Sequence, residues 1–519
     1  MRGLDKGDGT QNDTAKVVVC PVKTANLKRQ KKIQPFAVQA ISPLDGLLHR
    51  EAITGKVACD SRTVEAGDIF VAVRGVQADG HDFIAEAVEK GAAAVVTERE
   101  VPLPEAVSQI RVADSAEALG YLAHKLRGNP AAQLIMLGVT GTNGKTTVAY
   151  LVRSILQAEG IGCGVVGTVE YDVGDGEVVK ADITTPDAVQ LADLMGRMRE
   201  NGLTAAVMEC SSHGLEQKRT AGIPFRAAAF TNLSGDHLDY HGTVESYRAA
   251  KSKLFEGLSK DTVAILNGED EVSEYFSQRT EARIWRYGIG EGYDVAATIE
   301  AKGLWGSEFT IKIFGREFTV RTGLVGEHNV YNCLTAAGLA RAAGASLGAI
   351  AAGIDRLRGV PGRLERVEHE HDFTVLVDYA HTDDALRHTL ATVKELARRE
   401  VIVVFGCGGN RDRSKRERMA NVAEQFADRI VVTDDNPRLE DPDQIRAEIL
   451  TGFSPEGKKN VCEIPGRRDA IEHVIGAAKG GDVVLIAGKG HEEYQIVGHE
   501  RLWFDDRVAA REAIKKVRK

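Results

Sequence analysis

The segment Gly141-Thr142-Asn143-Gly144-Lys145-Thr146-Thr147 follows an apolar run at 134–140. It precedes a stretch in which Val148, Leu151, Val152, Ile155 and Leu156 recur at helical spacing. A strand, a glycine turn and a helix N-terminus in that order make an anion site. Free backbone N–H groups and the positive end of the helix dipole both face the ligand. Lys145 is then placed to reach the β- and γ-phosphates of a nucleoside triphosphate, and the Thr146 hydroxyl to meet Mg²⁺. The strict phosphate-loop spacing asks for glycine at 139, where valine stands; the glycines are at 138, 141 and 144. A merely structural glycine turn leaves Gly-Lys-Thr-Thr at the head of an amphipathic helix unexplained, so the segment reads as nucleotide-binding.

Other chemistry-bearing residues sit at the ends of apolar runs. Glu209 closes the run 205–209, and a carboxylate there can face the loop and hold Mg²⁺, which prefers oxygen ligands. His237 lies in a polar segment at 232–241, and Lys251 ends Tyr247-Arg-Ala-Ala-Lys251. By residue type alone these two read as a satisfied polar histidine and a solvated helix lysine. Asp435-Asn436-Pro437-Arg438 carries an arginine, whose rigid fork can bind a carboxylate through two N–H groups.

These residues need elements to hold them, and the chain divides into three α/β segments. Short apolar runs at 69–73 and 93–96 belong to a small first unit, and the turn cluster Arg127-Gly-Asn-Pro130 closes it. Runs at 134–140, 205–209, 227–231 and 263–266 alternate with helical stretches and predict a mostly parallel sheet. Residues 297–324 alternate without helical spacing and predict a β extension. A third unit starts near Gly359-Val-Pro-Gly362, with strands predicted at 374–377, 401–405, 430–433 and 483–486 and helices at 385–398 and 441–450. Its polar clusters at 378–381, 408–411, 434–438 and 488–492 all follow strand ends, where ligands of doubly wound sheets sit.

Composition narrows the classes. The 519 residues are too many for one core. A net charge of -9 weighs against a general nucleic-acid binder. Seven scattered cysteines without a CxxC pair read as reduced thiols. No apolar run is long enough to span a bilayer, and the polar N-terminus has no secretory signature.

The loop from Gly141 to Thr147 resembles the ATP loop of the Mur ligase superfamily, which includes the folylpolyglutamate synthetases. Further blocks match in the family's order and spacing from about residue 50 onward. The resemblance implies a three-domain α/β architecture. A small UDP-sugar-binding domain is expected at 43–130, after a poorly ordered extension at 1–42. A central ATP-binding domain with a P-loop ATPase-type parallel sheet is expected at 131–358, and a C-terminal Rossmann-like amino-acid-binding domain at 359–519. The cofactors implied are ATP and Mg²⁺. Glu209 and His237 match magnesium ligands beside Thr146, and Lys251 matches a carbamylated lysine (N6-carboxylysine). Asn329 matches a residue near adenine, and Arg363 and Asp378 match residues that contact ATP. Ser61, Val76, Gln77 and Ala78 match loops that hold uridine diphosphate. Thr184, Thr185, Ser211, Gln217 and Arg219 match the block that grips the sugar peptide. Position 383, usually proline in the family, is aspartate, which at a helix start also works as a cap.

Asp435-Asn436-Pro437-Arg438 resembles the motif of family members that add diaminopimelate; lysine-adding relatives lack this arginine. Arg411, Gly488 and Glu492 also match diaminopimelate contacts. Meso-diaminopimelate carries a carboxylate at its far end and lysine does not, so a buried fork should reject lysine. The resemblance thus implies ATP-dependent ligation of meso-2,6-diaminopimelate to UDP-MurNAc-L-Ala-D-Glu through an acyl phosphate, in peptidoglycan precursor synthesis. The expected setting is a cytoplasmic monomer with small-molecule substrates and neither nucleic acid nor membrane as partner. The rival readings are the same ligation with L-lysine, a folylpolyglutamate synthetase, and a nucleotide-binding switch protein. The last would show no amine-dependent ATP turnover.

Overall fold

The computed structural model describes residues 42–46, 53–75, 78–234 and 238–517. The expectations for the N-terminal extension, for Val76 and Gln77, and for His237 lie outside the described residues.

The first sheet has four parallel strands in sequence order: Val57–Ala58, Ile69–Val71, Ala94–Thr97 and Ser108–Arg111. Alternate side chains of a strand point to opposite faces. Ile69 and Val71 accordingly pack with Leu119 and Leu122 of the helix Ser115–Leu126. Phe70 packs on the other face with Ile84 and Ala87 of the helix Ile84–Glu89. With both faces covered, the two inner strands Ile69–Val71 and Ala94–Thr97 read as buried, nearly continuous apolar runs rather than as alternating ones.

The second sheet has eleven strands. Its parallel centre runs, in spatial order, Val295–Gly303, Arg283–Ile289, Val263–Asn267, Phe225–Phe230, Ile135–Thr140, Ala205–Glu209 and Cys163–Val166. Antiparallel strands Gly306–Ile313 and Arg316–Thr322 extend one end, so the β extension expected at 297–324 is a three-strand meander. Glu170–Asp172 and Val178–Lys180 extend the other end. The helix Lys145–Ala158 buries Val148, Leu151, Val152, Ile155 and Leu156, the face its spacing predicts, against the sheet.

The third sheet has six strands, ordered Glu365–Arg366, Thr374–Asp378, Val483–Ala487, Val401–Phe405, Arg429–Val432 and Val461–Glu463, and only the first is antiparallel. A separate hairpin, Tyr494–Val497 with Glu500–Trp503, follows the sheet. The predicted helices are Asp383–Leu396 and Pro442–Thr451. One detail differs. The cap of the first is Thr382, whose hydroxyl accepts from Ala385 N at 3.3 Å, and Asp383 instead accepts from Arg418 Nε at 3.0 Å. Threonine at 382 already meets the free N–H groups, so aspartate in the first turn is left to pair with a cation. The six described cysteines are free thiols, and four of them are buried.

Under the third sheet, Arg467 and Asp506 form an ion pair with no side-chain exposure at all. Nε donates to Oδ1 and Nη2 to Oδ2, both at 2.7 Å, and Nη2 also donates to Ala487 O at 3.0 Å. Removing one partner of such a pair leaves a buried charge uncompensated, at a cost of about 3–5 kcal/mol. Arg467→Met should therefore lower the unfolding free energy of the C-terminal domain by that amount, and Arg467→Met/Asp506→Leu should recover most of it. Equal losses in the single and double variants, read from urea unfolding, would contradict this account.

Candidate active site

Ile135–Thr140 delivers the chain to the glycine loop, and the helix begins at Lys145. Gly141 has φ +148° and Gly144 φ +89°. A Cβ at 141 would lie 1.9 Å from Thr231 Oγ1, and one at 144 would lie 2.3 Å from Asn332 Oδ1. Both positions exclude a side chain by backbone angle and by space. Val139, where strict spacing would put glycine, is a buried strand residue in register with Glu209. The neighbouring strand end shapes the loop: Thr142 N donates to Asn232 O (2.8 Å), Asn143 N to Asn232 Oδ1 (3.1 Å), and Thr231 Oγ1 to Asn143 O (2.6 Å). Lys145 Nζ lies across the loop, donating to the carbonyls of Gly141 (2.9 Å) and Thr142 (2.8 Å).

Glu209 is the last residue of its strand and is 1 % exposed. Its carboxylate accepts from Thr146 Oγ1 (3.1 Å), Thr168 Oγ1 (3.0 Å) and Thr168 N (2.9 Å). Lys251, on the helix Val244–Glu256, is 1 % exposed and donates to Gly141 O at 2.8 Å. Its Nζ also lies 4.3 Å from the Tyr247 ring centroid, and Tyr247 Oη is 3.1 Å from Thr142 Oγ1. The solvated-lysine reading of Lys251 does not hold. Glu209, Thr146, Lys251 and the loop form one cluster. Its oxygen donors, a hydroxyl and a carboxylate, are those a magnesium ion takes. Among the described residues no group of three or more His, Cys, Asp and Glu side chains forms a metal site.

The third domain reaches this cluster. Arg363 Nη2 donates to Thr146 Oγ1 at 3.3 Å, and Ser234 Oγ to Asp384 Oδ2 at 3.2 Å. Arg363 also stands over the ring of Tyr379, at 5.2 Å. Asp378 ends its strand and accepts from Leu364 N (2.7 Å), Ala380 N (2.9 Å) and Thr389 Oγ1 (3.3 Å). Burial pushes its carboxyl above the usual range, while the Arg363 charge and these donors pull it back. Asn329 is buried on the helix His328–Ala342; its Oδ1 accepts from Asn332 Nδ2 at 2.8 Å, which ties it to the residue against Gly144.

Thr184, Thr185, Ser211, Gln217 and Arg219 form one network beside Glu209. Thr185 Oγ1 donates to Glu209 O (2.8 Å) and Ser211 Oγ (3.0 Å), and Thr184 Oγ1 is 3.1 Å from Thr168 Oγ1. Arg219 Nη1 donates to Thr185 O (2.7 Å) and its Nη2 to Gln217 Oε1 (2.7 Å). Ser61 and Ala78 lie in the N-terminal domain. The buried Ser61 hydroxyl donates to Glu86 Oε2 at 2.7 Å, and exposed Ala78 accepts from Gly75 N at 2.9 Å through its carbonyl.

In the third domain Arg438 adopts φ +54°. Its N donates to Ile496 O (3.0 Å) and its O accepts from Gly498 N (2.7 Å), so the hairpin holds its backbone on both sides. Arg438 Nη1 donates to the carbonyl of Gly409 at 2.9 Å, and among the described residues no carboxylate pairs with this guanidinium. Asn436 Nδ2 donates to Glu492 Oε2 at 3.0 Å, and Asp435 Oδ1 accepts from Asn436 N at 2.7 Å. Gly488, at φ +117°, directly follows the strand Val483–Ala487. Pro437 accepts from Glu440 N through its carbonyl, at 3.1 Å. Arg411 is exposed, on the loop beyond Val401–Phe405. Thr168, Asn232, Tyr247, Asn332 and Lys489 are site residues that residue type and spacing did not single out.

Fold and site together define a P-loop nucleotide-binding protein whose phosphate loop is joined, by Arg363 and Asp384, to a second doubly wound domain with its own charged cluster beyond the strand ends. The family model of the Mur ligase middle domain matches residues 139–340, that of the Mur ligase glutamate ligase domain residues 362–490, and that of the Mur ligase family catalytic domain residues 55–127. The UDP-N-acetylmuramoyl-L-alanyl-D-glutamate--2,6-diaminopimelate ligase of Geobacillus kaustophilus is 46% identical over 463 residues, covering 88% of this chain and 94% of that one. A solved structure of an enzyme with the same name is 36% identical, with a TM-score of 0.66 over 89% of this chain and 94% of that one. The folylpolyglutamate synthase of Mycobacterium tuberculosis shares the fold at 22% identity, with a TM-score of 0.59 over 70% of this chain and 91% of that one. The chain belongs to the Mur ligase family.

The packing of Gly144 gives a direct test. Gly144→Ala forces a Cβ against Asn332 at a positive φ. Calorimetric titration with ADP should show at least about a tenfold loss of affinity. Gly144→Ala/Asn332→Ala should regain only part of it, because the backbone strain stays. Unchanged affinity in the single variant would mean that the loop does not hold the phosphates.

Proposed function

We propose that this chain joins meso-2,6-diaminopimelate to UDP-MurNAc-L-Ala-D-Glu, converting ATP to ADP and phosphate, and so makes a peptidoglycan precursor. The observation that carries the reading is the cluster of Arg438, Asn436 and Glu492 beyond the third sheet. It offers a guanidinium, an amide and a carboxylate, the complement of an amino-acid end bearing both a carboxylate and an ammonium. Relatives named for this ligation, identical at 46% and 36% of positions, support it.

The chemistry follows from the donors. A carboxylate is a poor acyl electrophile. Transfer of the γ-phosphoryl group to a carboxylate oxygen breaks the bond to ADP and gives an acyl phosphate. The substrate amine, having lost its proton, attacks the carbonyl carbon; the amide bond forms and phosphate leaves. The N–H groups of Gly144, Lys145, Thr146 and Thr147 at the head of the helix cradle the phosphates, and Gly141, Thr142 and Asn143, two of whose N–H groups are held by Asn232, shape the turn around them. Lys145 spreads the charge of the transferring group. Asn329 faces the base, and Arg363 and Asp378 meet the nucleotide from the third domain.

Thr146, Glu209, His237 and Lys251 as a carbamate are the proposed holders of Mg²⁺. When bound, it neutralises charge on the phosphates. The sugar peptide lies along Thr184, Thr185, Ser211, Gln217 and Arg219. The uridine diphosphate lies against Ser61, Val76, Gln77 and Ala78. Asp435, Asn436, Pro437, Arg438, Arg411, Gly488 and Glu492 take the amino acid. The domains are assigned to 43–130, 131–358 and 359–519. The enzyme acts as a cytoplasmic monomer on small molecules, without nucleic acid or membrane. The net charge of -9 weighs against a nucleic-acid partner, and among the described residues no helix is long and apolar enough to cross a membrane.

ADP release measured with UDP-MurNAc-L-Ala-D-Glu and each candidate amino acid decides the substrate. Diaminopimelate should be used and lysine rejected; preferred use of lysine overturns the assignment. Arg438→Lys replaces a fork by a point charge and should lower kcat/KM for diaminopimelate by about 10–100-fold, the worth of one charged hydrogen bond or more. Lys251→Ala should lose activity that added short carboxylic acids partly restore. Full activity of that variant without additive removes the carbamate from the scheme.

A further inference from the structure

Lys489 is 0 % exposed and lies between Gly488 and Gly490, beyond the strand Val483–Ala487. A buried ammonium is costly unless its donors are engaged. Its Nζ donates to Asn436 Oδ1 and to Glu492 Oε2, each at 3.2 Å, and stands 5.4 Å from the centroid of the Tyr494 ring. Three separate stretches of chain therefore meet at this one ammonium: the loop of Arg438, its own glycine loop and the hairpin. A lysine with no exposure does nothing for solubility, and its partners are not the phosphate loop.

The bonds fix more than position. Asn436 Oδ1 accepts from Lys489 and also from Ile496 N at 2.9 Å. A flipped amide would set its NH₂ against an ammonium and an N–H, three donors with no acceptor. The Asn436 NH₂ is thus held toward Glu492, whose Oε2 takes it at 3.0 Å together with Lys489. One oxygen of Glu492 is anchored twice, and the carboxylate plane is set by those two bonds. Arg467 below is matched by Asp506, so Lys489 is the buried cation that serves this carboxylate.

We infer that Lys489 is a positioning residue for the amine substrate: it sets the orientation of the Asn436 amide and of the Glu492 carboxylate that receive the ammonium end of the amino acid. This rests on the function proposed above. Steady-state kinetics of the full chain test it. In Lys489→Met the KM for diaminopimelate should rise at least tenfold, with kcat and the KM for ATP each within about threefold of wild type. In the cycle with Glu492→Gln, the loss of the double variant should be smaller than the product of the two single losses, because the lysine acts in part through that carboxylate. If Lys489→Met does not accumulate folded, Lys489→Gln, which keeps a donor without charge, carries the same cycle. An unchanged KM for diaminopimelate overturns the inference. So does a parallel rise in every KM, or losses that multiply in the double variant. Wild-type protein that releases no ADP with diaminopimelate would instead overturn the proposed function.

Discussion

A carboxylate buried as deeply as that of Glu209 is tolerable only when its oxygens are engaged. Much of the central site is organised around that requirement. Thr146, from the head of the loop helix, supplies one donor, and Thr168, from the turn after Cys163–Val166, supplies two. Thr185 grips the Glu209 carbonyl and reaches Ser211, so the segment matched to the sugar peptide is tied to the same strand end. The order of strands makes this possible. Ala205–Glu209 lies between Ile135–Thr140 and Cys163–Val166 in one parallel sheet, so the turns that follow all three open at the same edge.

The third domain meets a comparable problem with cations. Arg467 is matched by Asp506, Arg416 by Glu440 and Glu448, and Lys489 by Glu492. Arg438 stands apart, with its guanidinium on a carbonyl. A protein surface can leave an arginine so; a loop stapled to a hairpin has less reason to, unless an anion is to arrive. The contrast among these four cations, more than any single distance, is what supports placing the proposed amino-acid site at Arg438.

The parts of this arrangement that could be read from residue order are the local ones. The phosphate loop shows itself because an apolar run, a glycine turn and a helical period follow one another within a short stretch. The inner strands 205–209, 401–405 and 483–487 show themselves because buried parallel strands are unbroken apolar runs. Cys163–Val166 and Val461–Glu463 are too short to stand out, and Arg283–Ile289 carries two arginines. Lys251 could not be recognised as buried from its own helix. Its acceptor, Gly141 O, comes from 110 positions earlier. Asn332, which closes the space beside Gly144, and Lys489, a lysine between two glycines, are likewise defined by partners remote in sequence. Their functional matches came from resemblance to a family or not at all.

The backbone of Arg438 is held on both sides by the hairpin Tyr494–Val497 and Glu500–Trp503, whose outer residues Leu502 and Trp503 are exposed. The aim of the guanidinium is thus inherited from a ribbon that touches the solvent and forms no part of the sheet core. A lineage under selection for a different amine has two independent dials. One is the side chain at 438, whose replacement would, on the proposed function, switch recognition abruptly. The other is the ribbon, where small surface changes swing the fork by degrees while the motif itself stays intact. Grafting the four-residue motif alone onto a relative would transplant the fork without its mount.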